Sequence, residues 1–100
     1  MISVYSTCKN RAEALKISND LIKNRLAACI NLFPIESIYI WKNKIKKEKE
    51  YAMLIKTSRS FREIKSKIKQ LHSYKIPCIE KFSADFNRDY KKWVIETLKQ

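Results

Sequence analysis

The residues best suited to chemistry in this chain are three cysteines, Cys8, Cys29 and Cys78, and a single histidine, His72. Thiolate sulfur and imidazole nitrogen are ligands that suit copper or zinc. The cysteines are odd in number and form no Cys-x-x-Cys pair, so their spacing indicates neither a disulfide framework nor a zinc knuckle. One Cys and one His are too few for a structural metal site. We therefore expect free thiols and weak metal binding, shared between subunits or completed by solvent.

Catalysis is the less favoured class of function for this sequence. There is one histidine, and no Ser-His-Asp set or paired carboxylates stand out. The chain contains no glycine, whereas an acylphosphatase-like enzyme on a small α+β domain needs a phosphate-cradling loop that is usually glycine-rich. The residues therefore predict a protein that is not an enzyme.

A second group of candidate residues is predicted to bind a small ligand: Lys56, Tyr74, Trp41 and Glu48. Lys56 is a cation inside an otherwise apolar strand, and such residues are rarely buried without a partner. It either snorkels at the rim or contacts an anion in an intersubunit cleft with Tyr74 and a carboxylate such as Glu48 or Glu50. Trp41 is more often a packing residue than a stacking platform, and an interface between subunits accounts for it.

The elements that position these residues are organised around one long hairpin, from Ala27 to Ser58. Two arms rich in β-branched and aromatic residues, 27–41 and 45–57, predict strands. Between them Lys42-Asn43-Lys44 makes a predicted three-residue turn, in which Asn43 tolerates a left-handed backbone. At ~3.3 Å per residue the arms extend about 40 to 50 Å, which exceeds the globule expected of so short a chain.

We therefore expect a bulge to bend the hairpin at Pro34, which has no ladder donor. The distal part, from Tyr39 to Met53, is expected to project and to lie on another copy of the chain. Outward as well as inward apolar side chains on these strands support this expectation, because alternate strand residues point to opposite faces.

The remaining elements complete a ferredoxin-like split βαβ fold of the α+β class, with an antiparallel four-stranded sheet and two helices on one face. Capping patterns begin helices at Asn10 and Ser60, and Asn87 is expected to cap an extra C-terminal helix. The predicted elements are a strand over 2–7, a helix to about residue 24, the hairpin, a helix ending near residue 72, a strand over 78–82 and the last helix.

This topology places Cys8 at the end of the first strand and His72 at the end of the helix packed over the sheet, so the two are expected to approach each other. Cys29 lies in the hairpin, where a buried free cysteine is more often a small hydrophobe than a ligand. It remains a candidate metal ligand beside Cys8 and His72.

Five segments, in order along the whole chain, match the pattern of a known family. They are Arg25-Leu26-Ala27-Ala28-Cys29-Ile30-Asn31, Ser37-Ile38-Tyr39-Ile40-Trp41, Leu54-Ile55-Lys56-Thr57, Leu71-His72-Ser73-Tyr74-Lys75-Ile76-Pro77, and Tyr90 with Trp93. On these residues the chain resembles the CutA divalent-cation tolerance family. The resemblance implies a cytoplasmic homotrimer with interlocked hairpins, linked to tolerance of copper and other divalent cations. It also implies an architecture like that of the trimeric PII proteins, and hence a ligand-sensing role.

The resemblance also implies copper ligands. In family members that bind copper these are a thiol in the first strand, which falls nearest Ser6 here, and the His of the His-x-Tyr segment, which matches His72. Cys8 shares a strand face with Ser6 and is therefore the substitute thiol. The chain departs from the family pattern at four places: Asn43 replaces Gly at the hairpin tip, Ser73 replaces Pro, Cys78 replaces Glu, and Phe86-Asn87 replaces the Gly-Asn turn before the last helix. The loss of Glu at position 78 questions any role of that acidic group.

The net charge of +12 suggests a nucleic-acid or anionic-membrane partner. Most of the 22 basic residues are lysine and they are scattered over every element, whereas the planar arginine fork is the preferred reader of phosphates and base edges. The alternative function, an RNA-binding module on the same fold, needs aromatic, glycine-bearing segments on the central strands, and neither 2–7 nor 51–57 has them. We expect no specific nucleic-acid partner.

A length of 100 residues predicts one domain, 1–100. The start of the sequence, Met1-Ile2-Ser3-Val4-Tyr5, lacks the charged head and apolar run of a secretory signal, and no apolar stretch approaches membrane-spanning length. We therefore expect a cytoplasmic protein without a membrane partner.

Overall fold

The computed structural model describes residues 1–99 and has the ferredoxin-like α+β fold that the sequence predicts. Its one sheet has the strand order β2-β3-β1-β4, and each neighbouring pair is antiparallel. The elements are β1 (Ile2–Cys8), α1 (Arg11–Lys23), β2 (Cys29–Trp41), β3 (Lys44–Thr57), α2 (Phe61–Leu71), β4 (Ile79–Ser83) and α3 (Arg88–Leu98).

The main core lies between α1, α2 and one face of the sheet. From the central strands, Val4, Met53 and Ile55 point toward the helices and are fully buried. The helices meet them with Ile17 and Leu21 from α1 and Ile64 and Ile68 from α2. Full burial of such a side chain contributes roughly 1.5–3 kcal/mol. This packing fixes the ends of β1 and α2 relative to each other.

The second face of the sheet, which the sequence left open to water or to a partner, is covered in part by α3. Val94 and Leu98 of α3 are buried, and this helix contacts β3. Cys29 alternates with Ile30, which packs on the main core, so its side chain lies on the second face. There it meets Tyr90, whose pKa burial raises to about 12 with a further contribution from the Cys29 thiol.

The hairpin of β2 and β3 is long, and its register is unbroken from Cys29 opposite Lys56 to Trp41 opposite Lys44. The predicted bulge at Pro34 is therefore wrong. Because β2 is an edge strand, a proline can take a position whose N–H would face away from β3 without loss of a ladder bond. The molecule is 45 Å along its longest axis.

The turn of the hairpin has two residues and not the predicted three, because Lys44 already pairs with Trp41. Lys42 and Asn43 have φ angles of 50° and 63°. A positive φ at both central residues defines the type I′ turn, whose twist matches that of the flanking strands. The left-handed conformation expected of Asn43 is thus confirmed, but Lys42 shares it.

Helix α1 ends in a Schellman motif that uses Arg25 where glycine is usual. Arg25 has φ 58°, its N–H donates to the carbonyl of Ile22, and the N–H of Leu26 donates to the carbonyl of Leu21. The Arg25 guanidinium also donates to the carbonyl of Thr97, which lies 72 residues later in the sequence, in α3. This links the end of α1 to α3.

The three helix starts are capped to different extents. Ser60 and Glu63 form the complete capping box that the sequence predicts for α2. At α1 the Asn10 side chain accepts from the N–H of Glu13, but Glu13 reaches back to the N–H of Lys9 and not to that of Asn10. Asn87 precedes α3 without a side-chain capping bond. Within residues 1–99, no helix is long and apolar enough to span a bilayer.

Candidate functional site

Cys8, Glu13 and His72 form a cluster of three potential metal ligands. The thiol, a carboxylate oxygen and a ring nitrogen all lie within 4.8 Å of one another. Cys8 is the last residue of β1, Glu13 lies in the first turn of α1, and His72 follows α2. The expected approach of Cys8 and His72 is confirmed. Glu13 joins them because α1 starts only three residues after β1.

Both ring nitrogens of His72 are engaged by the backbone. Nε2 lies 2.7 Å from the carbonyl oxygen of Thr7, and because a carbonyl only accepts, Nε2 carries the proton. Nδ1 then accepts the N–H of Tyr74 at 3.0 Å. The side chain of His72 is 0% exposed, and its ring lies against that of Tyr74 with the centroids 4.8 Å apart. The ring is a neutral imidazole that joins β1 to the segment after α2.

Glu13 is ionised and held in place by the backbone of two distant segments. Its Oε1 accepts the N–H of Lys9 at 3.3 Å, and its Oε2 accepts the N–H of Ser73 at 2.9 Å. Burial by itself raises the pKa of a carboxyl group, but the hydrogen bonds from Ser73 and Lys9 outweigh it and lower the pKa of Glu13. A negative charge thus sits beside the thiol.

The Cys8 thiol is protonated at neutral pH. Burial, and to a smaller degree the charges of Glu13 and Glu50, raise its pKa to about 12. Compared with a thiol of ordinary pKa 9.0, it forms about three orders of magnitude less thiolate near neutrality. A metal entering the cluster must displace this proton and at least one backbone bond of His72. A thiol, a carboxylate and an imidazole are together donors that suit borderline divalent cations.

Beside this cluster, on the second face of the sheet, a cleft of about 560 Å³ lies between the distal hairpin and residues 73–78. Strand alternation turns Tyr39, Trp41, Glu48 and Glu50 to this face. Tyr74 closes the inner end, where its hydroxyl donates to Glu50 Oε2 at 2.6 Å. The cleft is lined by Thr7, Tyr39, Trp41, Lys46, Glu48, Glu50, Ser73, Tyr74, Lys75, Ile76 and Cys78.

Carboxylates and phenols are paired in this cleft. Burial and the bond to Glu50 raise the pKa of Tyr74. The pKa of Tyr39 is raised by burial and by its bond to Glu48, with Glu50 adding to it. Both phenols are therefore neutral donors at physiological pH, and both carboxylates keep an oxygen for a further partner.

The structure brings some of the sequence-predicted residues together and separates others. Trp41, Glu48 and Tyr74 line the cleft, as does Cys78 at its edge. Lys56 is absent from it: six residues along β3 from Glu50, its ammonium group contacts the side-chain carbonyl of Asn31. Within one chain Lys56 therefore does not meet Tyr74 or Glu48. Cys29 lies beside Tyr90, apart from Cys8 and His72.

Sequence reasoning missed two residues. Tyr39 could have been identified from the two-residue period of the strand, because this period places it on the same face as Trp41 and as Glu48 of the opposite strand. Glu13 had no such signal as a site residue: its partner Ser73 is 60 positions away, and only the packed fold brings the two together.

Comparison with known proteins finds consistent similarity over nearly the whole chain. The family model for the CutA1 divalent ion tolerance protein matches residues 2–97. The divalent-cation tolerance protein CutA of Pyrococcus horikoshii is 40% identical over 102 residues, covering 100% of both chains. That of Thermotoga maritima is 37% identical over 98% of this chain and 99% of its own.

The solved structures agree. The periplasmic divalent cation tolerance protein CutA of Archaeoglobus fulgidus superposes with a TM-score of 0.93 at 37% identity, covering 98% of this chain and 99% of that one. These similarities support a function in divalent-cation tolerance and give no support to the RNA-binding alternative.

Proposed function

Because the chain belongs to the CutA1 divalent ion tolerance family, we propose that it acts in divalent-cation tolerance as a non-enzymatic, cytoplasmic homotrimer that binds copper or another divalent cation weakly. The observation that carries the metal part of this proposal is the cluster of Cys8, Glu13 and His72, whose ligand atoms lie within 4.8 Å of one another. A thiol, a carboxylate and an imidazole together favour copper and zinc over magnesium, which prefers oxygen ligands.

The cost of opening the cluster makes binding weak and dependent on pH. The cation replaces the proton on Cys8, so affinity rises with pH as long as the solution stays below the pKa of that thiol, about 12. It also takes a ring nitrogen of His72 away from Thr7 or Tyr74. A protein of this kind responds only when the free cation is abundant, as a tolerance function requires.

Calorimetric titration with Zn²⁺, which does not oxidise thiols, and then with Cu²⁺ tests the site. Cys8→Ala should reduce the affinity at least tenfold, and Glu13→Gln should reduce it less, because the amide oxygen still ligates. Cys78→Ala is the matched control, since its thiol is exposed and outside the cluster, and it should bind as the wild type does. Equal binding by wild type and Cys8→Ala would place the metal elsewhere, with Cys29 the next candidate.

Small-ligand sensing at the cleft is a second candidate function. The observation that favours it is the convergence of Tyr39, Trp41, Glu48 and Tyr74 on one concave surface of about 560 Å³. Clefts of this size with aromatic walls and a few converging polar groups are typical of sites for small molecules. Tyr74 also links the two sites, because its N–H binds His72 and its hydroxyl binds Glu50.

The homotrimer is supported by the apolar surface of the distal hairpin. Ile38, Ile40 and Ile45 are 71%, 75% and 74% exposed on one face of it. A second copy of the chain would bury these side chains, as the interlocked hairpins of the proposed trimer require.

A further inference from the structure

The cleft contains a buried carboxylate that has no cationic partner. We propose that it binds a small organic ammonium ion, held by Glu50 and Glu48 and surrounded by Tyr39, Trp41 and Tyr74. This inference rests on the second proposed function, ligand binding at the cleft, and specifies the chemical class of the ligand.

Glu50 is the first observation. It is only 9% exposed, yet it lines the cleft. Its Oε2 accepts the hydroxyl of Tyr74. Within residues 1–99, no group donates to its Oε1, and no Lys, Arg or His pairs with it. A carboxylate that lines the cleft, is largely buried and has one neutral donor can take a cation as its further partner.

The walls of the cleft indicate what kind of cation fits. Tyr39 and Trp41 lie on the same strand face, and Tyr74 stands across from them on the segment after α2. The negative faces of aromatic rings attract ammonium groups, and quaternary ammonium groups, whose charge is covered by methyl groups, are the usual ligands of such aromatic sites. An inorganic divalent ion instead needs several oxygen, nitrogen or sulfur ligands close together. Among the described residues only Cys8, Glu13 and His72 are gathered that closely.

The charges in the cleft are ordered along β3. Glu50, Glu48 and Lys46 occupy alternate positions, so they follow one another at about 7 Å from the inner end of the cleft toward the hairpin tip. Glu50 is thus innermost and buried, whereas Glu48, Lys46 and Lys75 are exposed. The negative charges attract a cation to the interior of the cleft, whereas the positive charges repel it at the entrance. Whether removal of the Lys46 charge strengthens or weakens binding of a cation is therefore a test of the site.

Trp41 provides a direct probe, because the chain has only two tryptophans and the other, Trp93, lies on α3. In a Trp93→Phe protein, fluorescence titration with tetramethylammonium should change the Trp41 emission in a saturable way. tert-Butanol, which is similar in size but neutral, should bind at least tenfold more weakly. Sodium at the same ionic strength should have no effect.

Substitutions in the Trp93→Phe background then assign the charges. Glu50→Gln keeps an acceptor for Tyr74 and should weaken tetramethylammonium binding about tenfold or more, as expected for loss of a charged partner. Lys46→Gln should strengthen it, since a repulsive charge is removed. Glu36→Gln is the matched control, because Glu36 points to the opposite face of the same hairpin, and it should bind unchanged.

Each other outcome overturns the proposal in a recognisable way. If tert-butanol binds as tightly as tetramethylammonium, the cleft binds ligands but not as an ammonium site. If neither probe alters Trp41 emission, ligand binding at the cleft fails together with its proposed class. If Zn²⁺ displaces tetramethylammonium and Glu50→Gln abolishes the Zn²⁺ effect, the carboxylates hold a metal instead. Zinc binding that depends on Cys8 alone leaves the proposed metal function intact in all three cases.

Discussion

His72 is both a candidate metal ligand and a residue that holds the fold together. Its imidazole satisfies the carbonyl of Thr7 and the N–H of Tyr74, two backbone groups that are far apart in sequence. Buried backbone groups without a partner are costly, so the ring stabilises the fold as well as offering a ligand atom. Any metal bound through His72 must compete with these two bonds.

We expect His72→Ala to lower the free energy of unfolding by about 2–4 kcal/mol, because it leaves both backbone groups unpaired and creates a small cavity. Urea denaturation followed by circular dichroism measures this loss. His72→Gln, whose amide can replace one of the two bonds, should lose less. A change below ~0.5 kcal/mol in His72→Ala would show that the two bonds do not contribute to stability.

Ser18 offers the opposite case. Its hydroxyl is buried on the core side of α1 and has no hydrogen-bond partner among the described residues. We expect Ser18→Ala to raise the stability by about 1 kcal/mol, since it removes an unpaired polar group and improves helix propensity. The denaturant midpoint should rise with an unchanged slope. Ser66→Ala, on the exposed side of α2, is the control and should change the midpoint less.

For single residues, the sequence predicted contacts between residues at the ends of helices and strands, because the topology places those ends together. It did not predict contacts that form only when a side chain reaches a distant segment of the packed fold. Cys8 and His72 were expected to meet because each ends an element whose topology was predicted. The bond from Ser73 to Glu13 was beyond reach of the sequence pattern, because it joins a loop to a helix start through tertiary packing alone.

The hairpin turn is strained because two residues other than glycine, Lys42 and Asn43, have a left-handed backbone conformation. We expect the double substitution Lys42→Asn with Asn43→Gly to stabilise the protein by about 0.5–1 kcal/mol, because Asn-Gly is the preferred pair for a type I′ turn. Thermal unfolding measures the gain. The reversed pair, Lys42→Gly with Asn43→Lys, should gain less, and equal gains would mean that side-chain identity at the second position is unimportant.

The start of α2 should make stability depend on acid. The bond to Arg59 and the capping bonds with Ser60 lower the pKa of Glu63 to about 2 from an ordinary 4.5. A folded-state pKa below the unfolded one stabilises the fold above pH 4.5, and this contribution is lost as the pH falls toward 2. Between these two pH values, the denaturant midpoint should fall more steeply for the wild type than for Glu63→Gln. Parallel curves would contradict the assignment.

At the scale of elements, the types and order were predictable because each helix and strand has the period and the capping residues of its kind. The hairpin arms were placed within two residues of their observed limits. The turn and Pro34 were not, for physical reasons: a lysine in the left-handed region is uncommon, and an edge strand accepts a proline that a central strand would not.

For the whole molecule, the proposed trimer follows from the exposed distal hairpin. Sedimentation equilibrium at micromolar concentration should give about three times the chain mass of 11.9 kDa. The double substitution Ile40→Lys and Ile45→Lys should shift the protein toward monomer, because charges replace apolar contacts at the interface. Lys47→Gln on the same hairpin is the control. A monomeric wild type would overturn the proposed assembly and leave the apolar hairpin unexplained.

The left-handed residues Arg25, Lys42 and Asn43 also have a consequence for the unfolded chain. Arg25 and Lys42 each cost roughly 1–2 kcal/mol in the folded state, Asn43 costs less, and glycine would avoid the cost at all three. A chain without glycine at any of its 100 positions, however, samples fewer backbone states when it is denatured, and it loses less entropy when it folds. The cost of the left-handed conformation at three positions is therefore offset by the lower conformational entropy of the unfolded chain at the other positions. For the same reason, a glycine introduced at Asn43 recovers less stability than the strain it removes.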